Sequence, residues 1–432
     1  MNRLLIKKFI TSIIFVIILI FFCIQNIITS WIPLKNEALE VRKRKETTIE
    51  ANIYDEIGVN NPNKVSDIGS DNLIANLDYI QDRIKSIETT INENTYKKYR
   101  FIESYGFLQK LMGKKEEGGF EVIKDKDNIL HYTYFASEPK ETEKFAVKTK
   151  DFKDGIINNK VKLIYLMTPD KYIRGKTKFE RGIPYNYANE TADNYLYDLK
   201  EREIDYIDLR ENILERGLNP NDLFYKTDHH WNIETAFDQF TEFIEILNSR
   251  YDMNIDESGF YRETDNYNFI KYKNSYLGSM GRKCGKYYNG VDDFTLIYPK
   301  FETSYSFYAR TKDYEINTEG RFEEALLSQY SINNYKNEYA LSANKYDTYL
   351  FGNQGEVHIT NNNNKNGIKV LFIKDSFVLP FAAFFSNVCS DTYLIDPRYY
   401  DKNILDFVNS KDIDLIIISF TPQDISDEFF NF

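Results

Sequence analysis

Two of the chain's four histidines stand side by side in the run Thr227-Asp228-His229-His230-Trp231. In an extended segment, an aspartate two positions before a histidine lies on the same side of the backbone. The Asp228 carboxylate can then accept a hydrogen bond from one nitrogen of His230 and leave the other free as a base. His229 is expected to point the other way and to pack or contact substrate. This spacing alone leaves a metal-binding or structural role open.

Ser376 lies in a second segment that can carry chemistry. Residues 367–373 predict a buried strand, and the apolar run at 378–385 predicts a helix shortly after it. Ser376 is therefore expected at the carboxyl end of a strand, where ligand crevices form in open α/β sheets. It is also expected at a helix start, where amide groups favour an oxyanion. This position suits a nucleophile; the alternative is that the serine only caps the helix.

Taken together, the two segments favour a Ser-His-Asp triad. Capping would explain Ser376 but leave the Asp-x-His spacing unexplained. A metal site would explain the spacing but leave the serine unexplained. The other histidines, His131 and His358, form no ligand-spaced pair, which weakens the case for a metal, although carboxylates can complete such a site. A triad explains both segments.

The elements that must position these residues have an α/β pattern. From residue 160 onward, short runs rich in Val, Ile, Leu and Tyr alternate with helical patterns, as buried parallel strands and their connecting helices do. Directly after Trp231, apolar residues at helical spacing predict an amphipathic helix with Asn232 as its N-cap. Strands are predicted at 161–167, 205–209, 369–373, 392–395 and 414–419.

Residues 251–344 depart from this alternation. Many tyrosines, several glycines and polar alternation predict an inserted cap or loop segment of antiparallel strands and loops. Its aromatic side chains can stack on sugar rings, although packing of the tyrosines within the cap is the alternative.

The N-terminal region predicts a membrane anchor followed by a stalk. Residues 9–28 are almost wholly apolar, close to the ~20 residues that a helix needs to cross a bilayer. Arg3, Lys7 and Lys8 precede this run, which places the N-terminus in the cytoplasm and the large domain outside the cell membrane. No small-residue cleavage site follows, which favours an uncleaved anchor over a signal peptide. We expect an anchor at 1–33, a stalk at 34–99 and a globular domain at 100–432.

The stalk contains an apolar seam at alternating spacings of four and three residues, which either pairs two copies of the chain or packs on its own domain. The seam consists of Leu73, Leu77, Ile80, Ile84, Ile87 and Ile91.

Charge and cysteine content exclude other classes of protein. The net charge is -11, and acidic and basic residues are interspersed without a long basic run, so nucleic acid is not an expected partner. Cys23 lies in the predicted anchor, and Cys284 and Cys389 alone form neither a disulfide framework nor a zinc-ribbon spacing. Two separate buried thiols and one bridge between them both stay open.

The run TDHHWN at 227–232 resembles the hallmark of the DHHW protein family, which is similar to the SGNH-hydrolase-like domains of alginate O-acetyltransferases. The resemblance covers roughly residues 100–432. It implies a flavodoxin-like three-layer α/β sandwich with a parallel central sheet, to which the inserted segment and one N-terminal transmembrane helix are added. Further matches are TPDK at 168–171, YIDLR at 206–210, GSMG at 278–281, KDSF at 374–377 and IDPRYY at 395–400.

By position, the resemblance implies Ser376 as nucleophile, His230 as general base and acid, and Asp228 as the orienting carboxylate. The sequence departs from SGNH enzymes because no Gly-x-Asn-Asp block follows the serine strand, so their usual oxyanion asparagine is not identifiable. The Ser376 amide is expected to be one oxyanion donor. The other candidates for oxyanion or substrate binding are Asn353, Arg398, the strand end at 419–423, His229 and Trp231.

These features, together with the resemblance, predict an extracytoplasmic O-acetyltransferase or accessory acyl-transfer protein that acts on a cell-surface glycan or exopolysaccharide through an acyl-enzyme. Acetyl-CoA is cytoplasmic, so the resemblance to the alginate system implies a multipass membrane O-acyltransferase as the partner that supplies the acyl group. No metal or organic cofactor is expected. A carbohydrate acetyl esterase and an inactive glycan-binding or assembly scaffold are the alternatives.

Overall fold

The computed structural model describes residues 94–432 except 135, 184–185 and 334–338. Before residue 94 it describes only 13, 16–17, 19–29, 35, 87–88 and 90–92. Contacts divide the chain into two units, Met1–Ile102 and Glu103–Phe432.

In the first unit, residues 19–29 are helical. Within the described ranges, no helix has the length and apolar character that crossing a membrane requires. Most of the predicted anchor at 1–33 and of the apolar seam from Leu73 to Ile91 lies outside the described residues.

The bounds of the regular elements are as follows. The strands are β1 (Glu116–Glu117), β2 (Val122–Lys124), β3 (Leu130–Tyr132), β4 (Lys162–Met167), β5 (Asp205–Asp208), β6 (Tyr267–Tyr276), β7 (Asp292–Pro299), β8 (Tyr305–Arg310), β9 (Glu315–Gly320), β10 (Glu356–Asn361), β11 (Ile368–Lys374), β12 (Cys389–Ile395) and β13 (Leu415–Ser419). The α-helices are α1 (Lys98–Leu111), α2 (Glu143–Gly155), α3 (Ala188–Glu201), α4 (Leu209–Glu215), α5 (Pro220–Leu223), α6 (Ile233–Tyr251), α7 (Ser279–Cys284), α8 (Lys286–Asn289), α9 (Phe322–Ala325), α10 (Gln329–Asn333), α11 (Val378–Phe385) and α12 (Ile404–Asn409).

The second unit is built on an eight-stranded sheet with the order β5-β4-β13-β11-β12-β10-β8-β9. The first five strands in this order run parallel to one another, and they are the five strands that the apolar runs predict. The last three continue the sheet in antiparallel fashion. The prediction of a parallel central sheet is therefore corrected to a mixed sheet.

The antiparallel part has a different burial pattern from the parallel part. Along β8 and β10, buried and half-buried residues alternate, as in strands with one covered face. Strands β8 and β9 come from the segment 251–344, so this segment extends the central sheet as well as contributing the separate antiparallel pair β6 and β7. The segment predicted as an inserted cap or loop of antiparallel strands thus also supplies two strands of the central sheet.

The parallel strands are covered on both faces. Successive side chains of a strand point to opposite faces, and β4 shows this clearly. Leu163 and Tyr165 belong to the core cluster that includes residues of α2 and α3. Ile164 and Leu166 belong to the cluster that includes residues of α6 and α11. The result is the expected three-layer arrangement of helices, sheet and helices.

Helix α6 begins where the sequence predicts. The Asn232 side chain accepts a hydrogen bond from the Thr235 amide at 2.8 Å and so caps the helix. This cap fixes the chain directly after Trp231 and thereby defines one end of the segment that carries Asp228 and His230. Cys284 and Cys389 are buried free thiols.

Candidate active site

The segment that carries Asp228 and His230 is a tight loop. Phe224 and Trp231 form an isolated antiparallel bridge, and residues 226–230 between them are bends. The His230 amide donates to Asp228 Oδ1 at 3.1 Å, and His230 Nδ1 lies 2.6 Å from the same oxygen. The expected Asp-x-His contact is present, but the predicted extended backbone is wrong. A local bend brings the two side chains together.

Ser376 stands at the junction between β11 and α11. The Asp375 amide continues the strand pairing to Ser419 O, and the Asp375 carboxylate accepts from the amides of Phe377 and Thr421 at 2.9 and 2.6 Å. These bonds fix the turn, and Ser376 Oγ lies 2.7 Å from His230 Nε2. No side chain caps α11, so the structure does not use Ser376 as a helix cap.

Asp228 determines which nitrogen of His230 carries the proton. Burial opposes ionisation of the carboxyl. Nevertheless, the neighbouring His229 and His230, together with hydrogen bonds from His230 and the Ser279 amide, hold the pKa of Asp228 well below its usual range. An ionised carboxylate only accepts hydrogen bonds, so His230 Nδ1 must be the donor. His230 Nε2 is then free to accept the Ser376 hydroxyl proton, which is the arrangement of a serine nucleophile with its base.

His229 does not point away from the site, contrary to the prediction. Its ring lies 3.8 Å from the His230 ring, centroid to centroid, and its Nδ1 is 3.1 Å from Ser279 Oγ. The bend at 226–230 turns both imidazoles to one side. Burial, with a contribution from His230, lowers the pKa of His229 to about 3, so this ring is neutral near pH 7. It lines the cleft beside Ser376.

Asp228, His229 and His230 also offer potential metal ligands within 4.8 Å of one another. Both nitrogens of His230 already have hydrogen-bond partners. Both oxygens of Asp228 accept hydrogen bonds as well. A metal at this position would have to replace the contact of His230 with Asp228 or with Ser376. The geometry therefore fits a hydrogen-bonded chain better than a metal site.

The 226–230 loop is held by two buried charges. Lys171 Nζ donates to the carbonyls of Tyr225 and Asp228 at 2.6 and 2.8 Å. Asp292 accepts from the amides of Lys226 and Thr227, each at 2.8 Å. Burial lowers the pKa of Lys171 to about 8, against the opposing effect of nearby carboxylates, so the ammonium persists at neutral pH. Lys171, the last residue of the TPDK run at 168–171, thus clamps the loop.

The GSMG run at 278–281 supports Asp228 from another side. The Ser279 amide donates to Asp228 Oδ2 at 2.6 Å, and the Gly278 amide donates to Thr227 Oγ1 at 2.9 Å. A Cβ atom on Gly278 would lie 2.2 Å from Asp228 Cβ. Only glycine therefore allows the backbone to approach the carboxylate this closely.

Three of the predicted binding candidates have other contacts. Trp231 is fully buried, and its Nε1 donates to Tyr346 Oη and to the Phe377 carbonyl, so it supports the site from the core and does not contact the cleft. Asn353 Oδ1 accepts from Lys374 Nζ at 2.7 Å, and this asparagine does not line the cleft. Arg398 does line the cleft, but its Nε and Nη2 donate to Asp396 at 2.9 and 2.7 Å.

Two hydrogen-bond donors are available near the nucleophile. In the described part of the chain, the Ser376 amide has no acceptor. Gln423 lines the same cleft, and its Nε2, which lies next to Asp170, is buried without a hydrogen bond of normal geometry. Gln423 belongs to the strand end at 419–423 that the sequence names as an oxyanion candidate.

Residues that the sequence did not single out complete the cleft. It has a volume of about 220 Å³, and Tyr132 and Tyr134 line it together with Ser376. Tyr132 is the last residue of β3 in the small sheet formed by β1, β2 and β3, and Tyr134 follows this strand by two residues. Strands of two or three residues are too short to show a period, so only the alternation Leu-His-Tyr-Thr-Tyr at 130–134 hints at them. His131 also lies at this cleft, hydrogen-bonded to Asp125 at 2.9 Å.

Comparisons with known proteins agree with this architecture. Residues 134–241 match the family model described as SGNH hydrolase-like domain, acetyltransferase AlgX. The match includes Asp228 and His230 and ends before Ser376. No curated protein matches the chain by sequence.

Solved structures show the same fold over most of the second unit. Bacillus cereus PatB1 with a sulfonyl adduct is 20% identical, with a TM-score of 0.57, covering 72% of this chain and 97% of PatB1. PatB1 without the adduct is also 20% identical, with a TM-score of 0.56, covering 72% of this chain and 99% of PatB1. A DHHW family protein from Eubacterium siraeum is 17% identical, with a TM-score of 0.50, covering 72% of this chain and 93% of that protein. These structures confirm the resemblance and the SGNH-hydrolase-like α/β fold. Acyl-transfer or esterase chemistry is supported only in coarse terms, by the family-model match at residues 134–241.

Substitution of Gly278 tests the support of Asp228. Gly278→Ala should displace the 278–281 backbone from Asp228, and we expect the reaction of Ser376 with a sulfonyl fluoride to slow by about tenfold or more. Ser279→Ala is the matched control because it keeps the donating amide and removes only the hydroxyl near His229. Equal rates for Gly278→Ala and the unaltered protein would contradict the proposed support.

The buried His131 predicts a loss of stability in acid. Burial lowers the pKa of His131 to about 4, although its bond to Asp125 opposes the change. An unfolded histidine titrates near 6.5. Between pH 4 and pH 6.5 the folded state therefore binds fewer protons than the unfolded state. The stability of the fold falls as the pH drops from 6.5 through 4. The loss amounts to at most about 3 kcal/mol.

Urea denaturation at pH 7 and pH 4.5 measures this loss. The stability of His131→Gln should fall less between the two pH values than that of the unaltered protein, because glutamine does not titrate. An equal loss of stability in His131→Gln and in the unaltered protein would show that the fold does not hold His131 neutral.

Proposed function

We propose that the chain is a serine O-acyltransferase that moves an acetyl group onto a hydroxyl of a cell-surface glycan. The observation that carries the proposal is the position of His230, 2.6 Å from Asp228 through Nδ1 and 2.7 Å from Ser376 through Nε2. A serine is a weak nucleophile unless a base removes its proton, and this chain of contacts supplies an oriented base.

In the first half of the reaction, Ser376 Oγ transfers its proton to His230 Nε2 and attacks the acyl carbonyl carbon. The ionised Asp228 stabilises the resulting imidazolium through Nδ1. The Ser376 amide is placed to donate to the developing oxyanion, with Gln423 Nε2 as a second donor in the cleft. His230 returns the proton to the leaving group, and an acyl ester remains on Ser376.

In the second half, a glycan hydroxyl enters the cleft. Its proton passes to His230 Nε2, its oxygen attacks the acyl carbon, and the bond to Ser376 Oγ breaks. Ser376 regains its proton from His230. Water in place of the sugar would make the same site an esterase, so the two activities differ only in what resolves the acyl-enzyme.

Two comparisons support this proposal. The matching family model describes an acetyltransferase. PatB1, which shares the fold, was obtained with a sulfonyl adduct. Sulfonyl fluorides modify activated nucleophiles such as serine, and this chemistry provides a direct test.

We propose further that residues 9–28 anchor the protein and that the second unit lies outside the cytoplasm. Arg3, Lys7 and Lys8 before the apolar run support this orientation. An acetyl group made from cytoplasmic acetyl-CoA must then cross the bilayer, and we propose a multipass membrane O-acyltransferase as the partner that delivers it. The mechanism requires no metal or organic cofactor.

Sulfonylation tests the triad. The full chain in detergent should gain one phenylmethylsulfonyl group on Ser376, measured by mass spectrometry, and Ser376→Ala should gain none. His230→Ala should react at least about 100-fold more slowly because the base is lost. His358→Ala is the matched control, since His358 pairs with Asp391 at 2.8 Å and does not line the cleft. Unchanged labelling of His230→Ala would overturn the triad.

The fate of the acyl group then separates the alternatives. The full chain treated with an activated acetyl ester should carry acetyl on Ser376 and pass it to an added oligosaccharide. Release of acetate regardless of the sugar would identify an esterase. Failure of Ser376 to become acylated would overturn the enzymatic proposal. An inactive scaffold would then be the remaining alternative.

Protease accessibility tests the location. In intact spheroplasts, added protease should digest the second unit, because the proposed anchor leaves it outside the cytoplasm. A cytoplasmic marker protein is the control for intact membranes. Protection of the second unit until the spheroplasts are lysed would refute the orientation.

A further inference from the structure

The cleft beside Ser376 has an aromatic part. Tyr132 and Tyr134 line it with their ring centroids 6.0 Å apart in an edge-to-face arrangement, and Tyr132 lies 5.8 Å from the His229 ring. Tyr134 is 46% exposed and lines the same cleft as Ser376. An exposed ring at this position offers a flat apolar surface to a second substrate.

Apart from Phe377, the rest of the cleft is polar. Asp170, Asn186, Gln423 and Asp424 line it. Small-molecule sites combine apolar or aromatic surface with a few convergent polar groups that fix orientation. A pyranose has a face of C–H groups and a rim of hydroxyls. The two parts of the cleft therefore match a sugar ring, and the volume of about 220 Å³ suits a single ring better than a chain.

The charges in the cleft do not favour an anion. Among the described residues, the cationic side chains that line it are Lys171 and Arg398. The Lys171 ammonium is engaged by backbone carbonyls of the 225–228 segment. The Arg398 guanidinium donates twice to Asp396 and lies over the Phe429 ring, 4.6 Å from its centroid. Each of these two cations therefore already has partners within the protein, although Arg398 shares the Asp396 carboxylate with Lys374, whose Nζ lies 3.3 Å from it.

The carboxyl groups in the cleft add no positive charge that could hold an anion. Asp170 and Asp424 would repel an anionic sugar whenever they are ionised. Burial raises the pKa of both groups, and the nearby Asp375 raises that of Asp424 further. Ionised or neutral, these carboxyls can hydrogen-bond to sugar hydroxyls. A uronate carboxylate would lose its hydration here without gaining an unpaired cation.

We infer that this cleft is the acceptor site for a neutral pyranose, whose apolar face stacks on Tyr134 and Tyr132 and whose hydroxyl is directed at Ser376. The inference rests on the proposed acyl transfer and names its acceptor. It excludes glycans in which a uronic acid occupies this position.

Matched acceptors test the charge preference. The full chain, acetylated on Ser376 with an activated ester, is given neutral tetramers of glucose, mannose, galactose or N-acetylglucosamine. The tetramers of glucuronic, mannuronic and galacturonic acid serve as charged counterparts. We expect kcat/KM for the best neutral tetramer to exceed that for its uronate by about tenfold or more.

Two results would overturn the inference. One is transfer to a uronate at an equal or higher kcat/KM. The other is acylation of Ser376 without transfer to any neutral tetramer. Failure of Ser376 to become acylated is a separate result, because it overturns the proposed function itself.

Substitution of Tyr134 tests the stacking. Tyr134→Ala should raise KM for the neutral acceptor by about tenfold, and Tyr134→Phe should raise it by less than about threefold because the ring remains. Tyr314→Ala, at an exposed tyrosine that does not line the cleft, is the control for loss of a surface ring.

The fold-increase in KM for the neutral acceptor caused by Tyr134→Ala should exceed the fold-decrease in the acylation rate of Ser376 by at least about fivefold. Equal effects on both would indicate that Tyr134 only supports the site. A KM no different from that of Tyr314→Ala would remove Tyr134 from the acceptor site.

Discussion

The ionised and buried Asp228 carboxylate is the constraint on which the site depends. A buried charge is tolerated only when hydrogen bonds replace the water that it has lost. Asp228 takes these bonds from the amide and ring of His230 and from the Ser279 amide. The same bonds fix the His230 tautomer. The groups that stabilise the carboxylate are thus the groups that prepare Nε2 to accept a proton, so local stability and reactivity have one origin.

This constraint explains why short motifs far apart in the sequence converge. The loop can supply its donors only if its own backbone is held, and Lys171 and Asp292 hold it with charge-assisted hydrogen bonds. Gly278 lets a second backbone segment approach the carboxylate. Removal of one partner from such a buried set leaves another group unpaired, which costs more than the bond contributes. We therefore interpret the TPDK and GSMG runs as supports of the TDHHW loop.

The sequence predicts those parts of the structure that are determined by residues close together in the chain. The five parallel strands are buried on both faces and appear as continuous apolar runs, and Asn232 marks the start of α6. The approach of Asp228, His230 and Ser376 follows from their strand and loop positions. The mixed sheet does not follow from the apolar runs because β8 and β10 alternate like strands with one covered face. The orientation of His229, the burial of Trp231 and the pairing of Asn353 with Lys374 depend on tertiary contacts that carry no local signal.

Triad geometry alone does not separate a transferase from an esterase, because both require the same acyl-enzyme. Water reaches any open site, so a transferase must place its acceptor hydroxyl better than water is placed. Well-oriented groups reach effective molarities of about 10⁵–10⁸ M, far above the concentration of any bulk solvent. The difference must therefore come from residues that hold the acceptor and contribute nothing to proton transfer. In the cleft that Ser376 lines, the exposed ring of Tyr134 is a candidate for a group of this kind, and under the proposed function acceptor binding at this aromatic surface decides the outcome of the acyl-enzyme.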